Sequence, residues 1–141
     1  MKIAQILFLG LASVLLGTSP LQAADVKVIV NSSVSASSVS AEELKRVFLG
    51  TKSSLDDGSH VQPVFEKGGA AHEAFLQTYL GKTDAALMTY YRSLVFTGKG
   101  SMPKILGSDA EMAEYVAKTK GAIGYVSAGT STTGVKVLEV K

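Results

Sequence analysis

Residues 28–50, VIVNSSVSASSVSAEELKRVFLG, decide the fold, because a β-branched run is followed by a Ser-rich connection and a short capped helix. β-Branched residues favour strands, and the run that includes them, residues 25–31, predicts a buried strand. Ser40 is followed three residues later by Glu43, which is a capping box. The helix that it opens should end at Gly50. The stretch therefore predicts a strand, a loop and a helix in that order.

The same alternation continues along the rest of the chain. Strands are predicted at 61–65, 104–106, 122–126 and 135–140, and helices at 71–81, 83–94 and 108–116. Pro63 lacks an N–H, so its strand should lie at an edge of the sheet or at a crossing point. Alternating strands and helices predict an α/β fold, with a small mixed sheet flanked by helices.

The N-terminus has the pattern of a secretory signal peptide. Lys2 is followed by an almost unbroken apolar run from Ile3 to Leu16. Small or neutral residues then lead to a predicted cleavage point after Ala23. A buried core helix and a membrane anchor are the alternatives, but the run is short for a span and ends in a cleavage-like sequence. We therefore expect a signal peptide at 1–23 and one domain at 24–141.

Composition excludes several functions. The chain has no cysteine, so disulfides, thiolate metal sites, cysteine nucleophiles and lipid attachment to cysteine are excluded. A net charge of +2 is far from the dense basic footprint of a nucleic-acid-binding protein. Only two histidines are present, and no nucleophile, base and orienting group share a motif. The expectation is a protein that is not an enzyme and has no metal or cofactor.

Three ordered segments resemble the periplasmic phosphate-binding proteins of ABC transporters. They are residues 28–50, the segment Gly68–Leu80, and Gly121–Val126, which reads GAIGYV. The resemblance implies a shortened periplasmic-binding-protein-like fold and a periplasmic location. It also implies phosphate or a related small oxyanion as ligand, and an ABC permease or another periplasmic or membrane protein as partner.

The resemblance also locates the ligand. The family's phosphate loop reads R-x-x-x-S-G-T before a helix that carries a Phe, and aligning that Phe with Phe75 places the loop at residues 65–71. Gly69 then stands at the Ser position, and Phe65 at the Arg position. Because the hydroxyls and the guanidinium are absent, the expected ligand groups are backbone N–H groups at the helix start.

The candidate ligand-binding residues come from three segments. They are Lys67, Gly68, Gly69, Ala70, Ala71 and His72 before the Phe75 helix, then Arg92, Thr97 and Ser101 as a second arm, and Ser32 and Ser33 after the first strand. Each segment could equally be an ordinary loop. The alternative function is an exported protein-interaction or sensor module that keeps the fold and has no small-molecule ligand.

Overall fold

A mixed six-stranded sheet organises residues 26–141, the part of the chain that the computed structural model describes. The predicted signal peptide, residues 1–23, lies outside the described residues. The strands are β1 Val26–Val30, β2 Ser38–Val39, β3 Gln62–Glu66, β4 Lys104–Leu106, β5 Ala122–Ser127 and β6 Lys136–Val140. The helices are α1 Ala41–Phe48, α2 Ala70–Phe75, α3 Asp84–Phe96 and α4 Asp109–Lys118, and α2 continues into a π-helical segment, Leu76–Leu80.

The strand order is β2-β6-β1-β5-β3-β4. β3 is parallel to both β4 and β5, whereas β1 is antiparallel to β5 and β6. The predicted α/β class, with a small mixed sheet flanked by helices, is confirmed.

The two faces of the sheet bury separate apolar clusters. The cluster under α1, α2 and α3 contains Phe48, Phe65 and Tyr125, and the cluster under α4 contains Val64 and Met112. Val64 and Phe65, which are consecutive in β3, belong to opposite clusters, because successive side chains of a strand point to opposite faces of the sheet. The sheet is therefore covered on both faces, and the loops at the strand ends remain to form a site.

Aromatic rings fill the larger cluster. The rings of Phe75 and Tyr125 stack with centroids 4.1 Å apart, and the rings of Phe48 and Phe65 meet edge to face at 5.3 Å. Such pairs stabilise a core by about 0.5–1.5 kcal/mol beyond the area that they bury. Phe65, which stands at the position of the family's Arg, is thus a core residue here.

The predicted helix caps are present. Ser40 Oγ accepts a hydrogen bond from Glu43 N at 3.0 Å, and Ser108 Oγ accepts one from Glu111 N at 3.2 Å. Each hydroxyl satisfies an amide that has no partner within its helix. The local signals in the sequence therefore set where these helices begin.

Two details differ from the prediction. Ser38–Val39, inside the predicted Ser-rich loop, form the short strand β2 beside β6. β3 is not an edge strand, since β5 and β4 flank it. Pro63 is nevertheless tolerated, because β4 begins to pair only at Val64 and no neighbour on that side needs the missing N–H.

The parallel strands define two rims of the sheet. β3, β4 and β5 end together at what we call the carboxyl rim, marked by Glu66, Leu106 and Ser127. They begin together at the opposite amino rim. Since β1 runs the other way, its carboxyl end lies at the amino rim, where Asn31 N donates to Ala122 O at 2.9 Å.

Gly124→Ala tests the packing of α4 on β5. A Cβ at Gly124 would lie 2.5 Å from Sδ of Met112, which is fully buried. Overpacking of this kind typically costs about 1–3 kcal/mol. Urea denaturation should therefore show a lower free energy of unfolding. Gly129→Ala is the control, because a Cβ there meets nothing within 4 Å. Equal stability of the two variants would contradict this packing.

Candidate functional site

The connection from β3 to α2, residues 67–69, crosses the carboxyl rim, and we call it the glycine turn. Gly69 has φ 98° and ψ 173°, a conformation that is essentially restricted to glycine. It stands at the N-cap of α2, where it offers no side-chain acceptor. The chain therefore enters the helix with its first amides uncapped.

Five consecutive amides at this turn have no acceptor within residues 26–141. None of the hydrogen bonds there has Gly68, Gly69, Ala70, Ala71 or His72 as its backbone donor. The first three of these residues and Lys67 are exposed. Unpaired amides, the positive end of the helix dipole and a nearby ammonium group all favour an anion. The geometry thus provides the chemistry for holding a small oxyanion.

The His72 side chain points into the protein. It is 1% exposed, its Nδ1 lies 2.5 Å from Tyr125 Oη, and its Nε2 lies 2.7 Å from Asp84 Oδ1. The imidazole is therefore not directed at the turn, because both ring nitrogens already have partners inside the protein. Only the amide of His72 remains for the site.

Two carboxyl groups, the buried Glu66 and the partly buried Asp109, lie beside the glycine turn on the α4 face of the sheet. Glu66, the last residue of β3, is 4% exposed and interacts with Asp109, the first residue of α4. Burial, together with the hydrogen bond and charge of Asp109, raises the pKa of Glu66 to about 8. Glu66 Oε1 and Asp109 Oδ1 are buried atoms without a hydrogen-bond partner among the described residues.

Only one of the two carboxyl groups is protonated at neutral pH. Burial alone would raise the pKa of Asp109, but hydrogen bonds from Glu66, Ser127 and Thr130 lower it. Thr130 Oγ1 donates to Asp109 Oδ2 at 3.1 Å. Glu66 is therefore the protonated partner and Asp109 the ionised one, since two adjacent carboxylates would repel each other.

The other predicted site residues lie away from the glycine turn. Ser33 is at the amino rim, where its Oγ accepts from Gly121 N at 3.2 Å, and Ser32 precedes it. Ser101 lines an amino-rim cavity of about 360 Å³ beside Gln62. The fold therefore cannot bring these serines into one site with the turn.

Arg92 and Thr97 are also separated from the turn. α3 begins near α2, where Asp84 meets His72, and both residues lie in its far half or beyond its end. Thr97 Oγ1 donates to Ser93 O at 2.9 Å, as a residue at a helix end commonly does. Arg92 is exposed on the helix surface. The predicted second arm therefore does not face the glycine turn.

Two general features concern only residues 26–141. No group of three or more His, Asp or Glu side chains in this region could hold a metal ion. No helix in the same region has both the length and the apolar character needed to span a bilayer.

Glu66→Gln should flatten the pH dependence of stability. The pKa of Glu66 is near 4.5 in the unfolded chain and about 8 in the folded protein. Between these two pH values the native state therefore binds one proton more than the unfolded state. The wild-type free energy of unfolding should therefore fall as the pH rises through that window, and then level off. Chemical denaturation from pH 4 to pH 9 would measure this slope.

The control for that experiment is Glu73→Gln, an exposed carboxyl on α2. Glu73→Gln should keep the wild-type slope. An equally steep slope in Glu66→Gln would show that the carboxyl pair does not hold the extra proton.

Several solved structures share this fold. An ABC-type phosphate transport receptor from Vibrio cholerae superposes with a TM-score of 0.62 at 16% identity, over 82% of this chain and 45% of the receptor. PstS from Borrelia burgdorferi gives 0.63 at 14%, over 82% of this chain and 47% of its own. A Clostridium perfringens protein solved with bound phosphate gives 0.62 at 17%, over 82% of this chain and 44% of its own.

Comparison of sequences identifies no family for this chain. No family model matches the chain, and no curated protein is similar to it in sequence. The chain spans just under half the length of the three structures that it resembles. At these identities the likeness concerns the fold alone: residues 26–141 adopt a fold that is found in phosphate transport receptors.

Proposed function

We propose that this chain is an exported solute-binding protein, not an enzyme, that holds phosphate or a related small oxyanion at the glycine turn. The observation that carries the proposal is the run of unpaired amides from Gly68 to His72 at the carboxyl rim. The likeness in fold to phosphate transport receptors supports it. The same likeness suggests a role in phosphate uptake with an ABC permease. The sequence pattern of residues 1–23 predicts their removal on export to the periplasm.

Backbone amides are sufficient for this chemistry. A hydrogen bond to a charged group contributes about 1.5–3 kcal/mol, so a few converging N–H groups can hold an anion without a guanidinium. Gly68 and Gly69 have open space where a Cβ would stand, which leaves room for an oxyanion to approach the backbone. Lys67 adds one exposed positive charge, so the expected affinity depends on dipoles more than on net charge.

The acid pair of Glu66 and Asp109 suits an anion site only while Glu66 holds its proton. With Glu66 protonated, the pair carries a single negative charge beneath the turn. Ionisation of Glu66 above pH 8 would add a second one and weaken oxyanion binding. Binding should therefore be strongest below that pH.

A second candidate function is a protein-interaction or sensor module, and a surface feature favours it. Phe96 at the end of α3 is 93% exposed, and Val95 and Met102 nearby are also exposed apolar residues. Exposed apolar groups of this size are often contact points for a partner. Under this alternative the oxyanion would not bind, and Phe96→Ser would weaken association measured by light scattering.

Ala70→Pro tests the proposed site directly. Ala70 is the first residue of α2, where proline fits the helix but removes one N–H. Millimolar phosphate should raise the melting temperature of the wild-type protein, as a ligand of the native state must. We expect a clearly smaller rise for Ala70→Pro at each phosphate concentration.

The matched control is Ala70→Ser, which changes the side chain at the same position but keeps the N–H. It should retain most of the phosphate-induced rise. Equal rises for the proline and serine variants would exclude the glycine turn as the site. No rise for the wild-type protein with phosphate, sulfate or arsenate would contradict oxyanion binding and leave the interaction module as the better account.

A further inference from the structure

One buried hydroxyl contacts both sides of the glycine turn. Tyr125 Oη accepts a hydrogen bond from Glu66 N at 2.8 Å, just before the turn. It also lies 2.5 Å from His72 Nδ1, just after the turn. Glu66 and His72 are both buried, so water does not replace these contacts. The turn is thus held at both ends by a single atom of β5.

These contacts allow one continuous chain of donors and acceptors. Because Tyr125 Oη accepts from Glu66 N–H, its own proton is available for His72 Nδ1. His72 then carries its proton on Nε2 and donates it to Asp84 Oδ1 at 2.7 Å. Burial raises the pKa of Tyr125, so the hydroxyl keeps the proton that this arrangement needs. The chain of bonds runs from β3 through β5 and α2 to the start of α3.

Tyr125 itself has little freedom to move. Its ring stacks on Phe75 at an interplanar angle of 9°, and the residue has no solvent exposure. Phe75 belongs to α2, the same helix whose first amides are unpaired. Ring and hydroxyl therefore hold α2 in one orientation relative to the end of β3.

We infer that Tyr125 is a positioning residue of the anion site, whose hydroxyl fixes the glycine turn so that its unpaired amides converge on a bound oxyanion. This inference rests on the proposed function, because it assumes an oxyanion at those amides. Tyr125 does not touch the ligand and acts through Glu66 and His72. Preorganised donors bind an anion more tightly than donors that must first be ordered.

The test compares Tyr125→Phe with Tyr91→Phe. Tyr91 is also a buried tyrosine, and its hydroxyl donates to Phe48 O at the end of α1, away from the turn. Both variants lose one buried hydroxyl, so both should lose stability. Only Tyr125→Phe should weaken inorganic phosphate binding, by about tenfold in calorimetric titration. Equal phosphate affinities of the two variants would overturn the inference.

A second readout needs no ligand. Glu73 N donates to Gly69 O at 3.0 Å and closes the first turn of α2, so its hydrogen exchange reports the order of the glycine turn. Exchange at Glu73 should be faster in Tyr125→Phe than in Tyr91→Phe, and equal rates would overturn the positioning role. If the wild-type protein binds no phosphate, the proposed function fails, and this readout still decides whether Tyr125 orders the turn.

A second pair of variants serves if Tyr125→Phe does not fold. Asp84 is half-exposed, so its replacement should be tolerated. Asp84→Ala and Asp84→Asn both remove the charge at the start of α3, but only Asn keeps an oxygen that can accept from His72 Nε2. Exchange at Glu73 should be faster in Asp84→Ala and close to wild type in Asp84→Asn. The same rate in both variants would overturn the inference.

Discussion

The hydroxyl of Tyr125 is the polar contact on which the carboxyl rim depends. It lies at the end of a ring that is stacked in the core, and it meets the backbone of β3 and the imidazole of α2. A buried hydroxyl is costly unless its hydrogen-bonding capacity is used, and here it serves as both acceptor and donor. The apolar core and the polar rim are joined at this atom, so the packing of the rings sets the geometry of the loop.

At the carboxyl rim, the partial positive charge of the backbone amides is separated from the negative charge of a carboxylate. The unpaired amides from Gly68 to His72 favour an anion on the outside of the turn. The acid pair of Glu66 and Asp109 lies on the α4 face, where the buried Glu66 keeps its proton. Since the pair carries one negative charge instead of two, the turn above it can remain attractive to an oxyanion at neutral pH. The site therefore depends on protonation as well as on shape.

The sequence predicted those features that depend on neighbours along the chain. The caps at Ser40 and Ser108 and the α/β class follow from short-range spacing, and the structure confirms them. The contact between Glu66 and Asp109 could not be predicted, because it joins residues far apart in sequence through the pairing of β3 with β4. A buried role for Glu66 could have been suspected only from its place at the end of an apolar strand.

The prediction of Ser32 and Ser33 as site residues also failed to anticipate an arrangement that depends on distant strands. Ser32 and Ser33 were expected near the ligand because they follow a strand, which holds when all strands run parallel. β1 is antiparallel to β5, so its end lies at the amino rim instead. His72 is a candidate site residue from its position in the sequence, but its buried side chain contacts Tyr125, which the sequence alone could not indicate.

The most direct measurement is a phosphate titration followed by the backbone amide resonances of the protein. The account predicts that the largest saturable shifts occur at Gly68, Gly69, Ala70, Ala71 and His72, whose N–H groups have no acceptor within the described chain. Saturable shifts confined to the amino rim, around Ser33 and Ser101, or no saturable shift at all, would contradict it.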